Sequence, residues 1–383
     1  MLPIVAYTDK LSVAAGESLS VMASSFGARE YRADLRRIIQ GDTNPEGPGY
    51  KDEPIDLDLG GARKAEAKRF HPGSCVIVPG RGMLSSLSDF TIAAVVYPTL
   101  LDGRDRTIMA LPGFARIGID AEGRFLAEAH GEWLQARRRA RTGAWHLVSL
   151  SYSAKSGLLT LAVSHEDEAA SDDVAPEVAT AKAAGGECRA EEILIAAVRG
   201  SDGRPTGFFD GKIDRPALFA AEVPHDSLRR LLVDFAQLSR MANLLAAWDF
   251  SLKMTTQTIC DVSPFRLDGR IHNAPARAMT GWQWRGQELD WKKRPDLYTA
   301  IHFHSTDLYD AEWEVDFTFA LPAGLKSGVY AVRLVPDGDE DAAYYCVFAL
   351  RPPRGQRSAN TVAFLFPTCS YLAYANHRLG MDV

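Results

Sequence analysis

Between residues 75 and 219 the chain is a series of short apolar runs, at 75–78, 90–96, 106–111, 115–119, 125–129, 145–152, 158–163, 193–198, 212–213 and 217–219. Turn signals stand between them: DGRD at 102–105, DAEG at 120–123, KSG at 155–157 and SDGRPTG at 201–207. Runs of this length, closed so often by Gly, Asp and Pro, leave no room for helices of ordinary size and predict a mainly β fold, a sandwich of many short strands. The stretch 166–192 is Ala-rich and acidic, with Pro176, Gly185 and Gly186. It reads as a long mobile insertion.

The flanks are also rich in short strands. Residues 1–65 hold runs at 11–13, 19–23 and 31–39, divided by Gly16, Gly27 and Gly41, with a Gly/Pro-rich loop at 41–53. Residues 223–240 carry Leu228, Leu231, Leu232, Phe235 and Leu238 at helical spacing after His225-Asp226-Ser227, which offers an N-cap. A second sandwich is expected at 298–352, where LPAGLKSGVYAVRL (321–334) reads as a turn feeding an edge strand. RPPRGQR (351–357) is a linker. The run 361–366, closed by Pro367, reads as a buried strand ending in a loop.

A net charge of −6 and a pI near 5.9 argue against nucleic acid or an anionic membrane as partner. No apolar run reaches the roughly 18–20 residues that span a bilayer. The N-terminus lacks the basic and apolar regions of a secretory leader. Five cysteines, odd in number and without a CxxC pair, fit a reducing cytoplasm.

Candidate chemistry concentrates in the loop after Pro367, which carries Tyr371, Tyr374, Asn376 and His377, with Cys369 as a spectator. Elsewhere, His302 and His304 with Asp307 and Asp310 have zinc-like composition, although a structural role is the simpler reading. Asp210, Asp214 and Asp249 could ligate calcium, but no dense acidic loop supports it. The run ARRRAR (136–141) reads as a solvated hairpin or interface patch. Trp282, Trp284 and Trp291 could stack on sugars, with packing the plainer role.

DFTIAAVVYPT (89–99), WHLVSLSYSAKSGLLTLAVS (145–164) and GFFDGKIDRPALFAAEVPHDSL (207–228) resemble, in order, strands of the laminin-G-like, concanavalin-A-like sandwich. Beyond them come LLAAWDFS (244–251), NAPARAMTGWQW (273–284), AIHFHSTDLYDAEWEVDF (300–317), SGVYAVRL (327–334) and FPTCSYLAYANHR (366–378). This series is similar to the large (beta) subunit of the N,N-dimethylformamidase family.

The resemblance implies an amidohydrolase that cleaves formamides to an amine and formate. Its mononuclear iron would be held by tyrosine phenolates and a glutamate in a C-terminal α/β domain, and a small helical subunit would accompany it. One of Tyr371 and Tyr374 would be a metal ligand, Tyr374 having the closer AYAN context, with Asn376 and His377 beside the metal. The other ligands would lie past Val383, so the chain alone should be inactive and bind no iron. The implied architecture is an N-terminal β region (1–65), a laminin-G-like sandwich (66–222), a connecting helix and extended segment (223–297), an immunoglobulin-like sandwich (298–352), and a linker with the first strand of a truncated α/β catalytic domain (353–383). An unfinished sheet edge makes a homo-oligomer an expectation. The competing reading is a non-catalytic module whose sandwich binds a glycan or a protein.

Overall fold

The computed structural model describes residues 2–42, 44, 46–165, 175–353, 355 and 362–374. As expected, the chain is mainly β, with only short helices. It divides into two compact units, one formed by Met1–Phe70 with Glu312–Val383 and the other by His71–Ala311.

In the unit His71–Ala311 two antiparallel layers face each other across one core. The first layer runs Glu132–Arg139, Arg124–Ala129, Ala115–Ile119, Arg106–Leu111, Glu192–Ile195, Cys75–Pro79 and Gly269–His272. Thr258–Asp261 and Leu244–Asp249 lead into the second layer: Gly211–Phe219, Phe90–Pro98, His146–Ser153, Leu158–His165 and Glu177–Lys182. Strand Phe90–Pro98 shows why its sequence is continuously apolar. Ile92, Ala94 and Val96 enter the core between the layers, while Ala93 and Val95 face outward under a helical cover. A strand buried on both faces has no reason to alternate polar with apolar.

That cover is the helical stretch expected at 223–240. It folds as two short helices, His225–Leu231 and Phe235–Leu238, because Asp234 ends the first and caps the second by accepting from the amides of Ala236 and Gln237. Leu228, Leu232 and Leu238 still pack on the outer face of the sheet, as their spacing requires. His225 does not act as an N-cap. Its imidazole bridges Ser149 Oγ at 2.7 Å and Ser164 Oγ at 2.8 Å.

In the other unit, strands from the two ends of the chain interleave. Ser18–Ser25 lies between Ile4–Thr8 and Phe317–Ala320 in one sheet. In the second sheet, Ser12–Ala14 pairs parallel with Tyr344–Arg351, which is followed by Gly328–Pro336, Glu30–Gly41 and Tyr50–Ile55. Tyr31 and Leu35 alternate inward with Tyr330, Val332, Leu334 and Phe348, while Asp34, Arg36 and Arg333 form an outward ion-paired row.

Several boundaries therefore differ from those expected. Segments 1–65 and 298–352 are not separate domains, since each has strands enough for only part of a sandwich. Residues 71–311 fold as one unit, into which Ala300–Phe303 enters by pairing with Gly211–Phe219. Strand Gly328–Pro336 is central, not an edge, because Tyr344–Arg351 and Glu30–Gly41 flank it. Part of the expected insertion is ordered, Glu177–Lys182 pairing with Leu158–His165. The described residues of the strand expected at 361–366 pair with no other strand and leave Val362, Phe364 and Leu365 exposed. An extended segment without a partner has no ladder to hold it.

Candidate functional site

The segment after Pro367 is a helix, Thr368–Tyr374, where a loop was expected. Its first turn closes on the carbonyl of Pro367, which accepts from the amides of Ser370 and Tyr371. Tyr371 and Tyr374, three residues apart, share one side of the helix. Both are exposed, at 52% and 66%. The Phe366 ring lies parallel to Tyr371 with centroids 4.8 Å apart. Cys369 is exposed on the same helix. Asn376 and His377 lie outside the described residues. One or two phenolates supply too few donors for a metal centre. Among the described residues no group of three or more His, Cys, Asp or Glu is arranged to hold a metal ion.

The structure brings His302 and His304 together, ring centroids 4.0 Å apart, but gives each a protein partner. His302 Nε2 lies 3.2 Å from Thr99 Oγ1, and His304 Nδ1 lies 3.2 Å from Asp307 Oδ1. The hydrogen bond with Asp307 raises the His304 pKa, whereas burial and the adjacent His304 and Lys212 push His302 down to about 4. Asp307 Oδ2 also accepts from Ser74 Oγ at 2.6 Å, tying this turn to the start of the unit.

The three aspartates considered for calcium are engaged separately. Asp210 sits 2.6 Å from Arg106 Nη1 and accepts from the amide and hydroxyl of Ser305. Asp249 accepts from the amide and hydroxyl of Ser251. Asp214 is fully buried; its Oδ2 accepts from the Trp282 amide at 3.0 Å and Thr299 Oγ1 at 2.9 Å. Burial raises the Asp214 pKa. Gly281 belongs to this arrangement, because a Cβ there would stand 2.1 Å from Thr299 Oγ1 and 2.7 Å from Asp214 Oδ2. The motif TGWQW thus builds an internal polar joint. Its Trp282 is buried on the outer sheet face, while Trp284 and Trp291 pack on Met254, Leu297 and Tyr298, so they form no open platform.

A cavity of about 500 Å³ was not anticipated from the sequence. It lies at the end of the hairpins Arg106–Ala115 and Ala129–Glu132, beside residues 185–187. Arg116 is directly opposite Glu128, and Glu128 is directly opposite Trp133. The guanidinium grips the carboxylate at both ends, Nε to Oε2 at 3.1 Å and Nη2 to Oε1 at 2.6 Å. Trp133 lies beside them, 51% exposed. The nearest signal in the sequence was the basic run 136–141, on the same strand; Arg137 and Arg138 turn out to offer backbone amides to Glu177.

Comparison with known proteins comes out as follows. Residues 276–382 match the family model described as N,N-dimethylformamidase beta subunit-like, C-terminal. The chain is 31% identical to the N,N-dimethylformamidase beta subunit of Alcaligenes sp over 424 aligned positions, covering 99% of this chain and 53% of that protein. It is 30% identical to the N,N-dimethylformamidase beta subunit of Paracoccus aminophilus, covering 97% of this chain and 52% of that one. The chain spans about half the length of these curated relatives. Among solved structures, the Ruminococcus gnavus IT-sialidase CBM40 bound to α2,3 sialyllactose overlaps 43% of this chain and 94% of its own, with a TM-score of 0.33 at 13% identity.

Proposed function

The chain belongs to the N,N-dimethylformamidase beta-subunit family, and on that premise we propose that it is the β framework of a metal-dependent amidohydrolase, which cleaves an amide to an amine and a carboxylate. In this reading one phenolate of the metal-ligand set comes from the helix Thr368–Tyr374, from Tyr374 in preference to Tyr371. The observation that carries the proposal is the exposure of both tyrosines on one helix, inside the stretch that matches the family model. Side chains with a polar tip at the surface are accessible to a further part of the protein.

Iron(III), a hard cation, suits phenolate and carboxylate donors and would polarise an amide carbonyl when bound. Among the described residues no group of three or more His, Cys, Asp or Glu is arranged to complete such a site. No hydrolytic step is therefore assigned to the residues in hand. Their part is to hold the tyrosine-bearing helix and to cover the active site. Asn376 and His377 are proposed to position groups around the metal. A small helical subunit and self-association belong to the same proposal, in keeping with relatives that are named as beta subunits. Cytoplasmic location is proposed from five cysteines that are all free thiols.

The test is to assay the 383-residue chain for iron content and for hydrolysis of N,N-dimethylformamide. The assay is made alone and after adding a polypeptide that supplies the remaining length of the relatives. The chain alone should bind no stoichiometric iron and release no formate, and both should appear on addition. Tyr374→Phe should then lower the iron content of the assembly. Turnover by the isolated chain would overturn the proposal.

A further inference from the structure

We propose that the row Arg116–Glu128–Trp133 is a binding subsite for a neutral pyranose sugar. Three adjacent strands place these residues at one level. Their neighbours Ile117, Ala127 and Leu134 point into the core, so strand alternation turns all three outward. An indole half exposed on a strand gives a flat apolar face wide enough for the C–H face of a sugar ring. Beside it, the Arg116–Glu128 pair is already locked, with Arg116 largely covered and Glu128 43% exposed. The carboxylate keeps acceptor positions open to solvent and the guanidinium keeps donors. Together they offer the paired acceptor and donor that adjacent hydroxyls of a pyranose require, with little side-chain ordering left to lose on binding.

The floor of the cavity is built rigidly. His130 and Gly131 both sit in the left-handed region, at φ 54 and 80, making the two-residue hairpin turn that joins the strands of Glu128 and Trp133. The His130 ring is held against Tyr152 and Phe114, with centroids 4.3 and 5.1 Å away, and burial lowers its pKa. Gly185 allows residues 185–187 to close over this floor, since a Cβ at that position would meet the Tyr152 hydroxyl at 2.7 Å. The volume of about 500 Å³ falls within the roughly 300–1,000 Å³ of small-ligand clefts. Charge selects the sugar class. The lining holds one guanidinium, Arg116, and three carboxylates, Glu128, Glu132 and Glu187. Even with Glu187 paired to Arg189, Glu132 leaves an excess negative charge that disfavours sialylated or phosphorylated sugars.

The experiment is saturation-transfer NMR with calorimetry on the full chain, against glucose, galactose, mannose, N-acetylglucosamine, maltose, cellobiose and lactose. Sialyllactose and choline are the charged comparators. At least one neutral sugar should bind saturably, and sialyllactose should bind at least tenfold more weakly than its neutral counterpart. Trp133→Ala should weaken the neutral sugar at least tenfold with an unchanged melting temperature, Trp133→Phe should retain part of the affinity, and Trp291→Ala should leave it unaltered. No binding across the neutral panel, binding indifferent to Trp133→Ala, or preferential binding of choline would each overturn the assignment.

Discussion

Arg215 Nη1 donates to the carbonyl oxygen of Leu232 at 2.6 Å, at the point where the helical stretch over the sheet breaks in two. The same nitrogen reaches Val233 O at 3.1 Å, and Nη2 reaches Gln283 Oε1 at 3.0 Å. Helix ends leave carbonyls unsatisfied, and in a buried place such groups need a donor. The side chain of a strand residue, 5% exposed and lying over Phe235, supplies it.

Replacing this donor should therefore be costly. Arg215→Met strands two carbonyls and leaves Asp214 without its nearby cation, which should cost about 2–4 kcal/mol. Urea denaturation should show a lower midpoint at an unchanged slope. A loss below about 0.5 kcal/mol would mean that water satisfies the break.

Gly281→Ala should act through a different mechanism. The new methyl group would occupy the space of Thr299 Oγ1 and Asp214 Oδ2, breaking a buried hydrogen bond to a carboxylate. A loss of about 2–3 kcal/mol is expected. Thr299→Ala, which removes the hydroxyl and empties the space it filled, should recover part of the difference in the double variant, a coupling that a double-mutant cycle would read.

His225 predicts a pH dependence whose sign follows from its burial. Desolvation depresses its folded pKa from 6.5 to about 4, while the neutral ring bridges Ser149 and Ser164. The unfolded chain binds this proton first on acidification. The stabilisation is complete above pH 6.5 and falls as pH drops toward 4, by at most about 3 kcal/mol. In wild type, stability should decline across that window more steeply than in His225→Asn. Parallel curves would remove His225 as the cause.

The cysteines should separate cleanly with a thiol reagent. Cys75, Cys188, Cys260 and Cys346 are buried, and burial pushes the Cys75 and Cys346 thiols up to about 12, whereas Cys369 is exposed. Under native conditions one thiol should react quickly and the other four only on unfolding. Fast reaction of two or more would show that a core strand opens readily.

Tyr371→Phe and Tyr374→Phe test whether the last helix serves the fold of this chain. Exposed phenols should contribute less than about 0.5 kcal/mol to stability. The melting temperature should be unchanged in both variants. A clear drop in either would point to a packing role.

Local pattern by itself determined the β character of the chain, most strand positions in 75–219, the face of the helical cover that is buried, and the family. These follow from turn chemistry, apolar spacing and motif order, which are written in neighbouring residues. Only the tertiary structure decided that residues 1–65 share sheets with 317–351, since no local signal encodes which distant strand completes a ladder. It also showed that Asp214 meets Gly281 and Thr299, and that Arg116, Glu128 and Trp133 stand in one row. In each case the residues come from separate strands, and their juxtaposition depends on strand register. The tyrosines after Pro367 were found by motif. That they lie on a helix and are exposed only the structure showed.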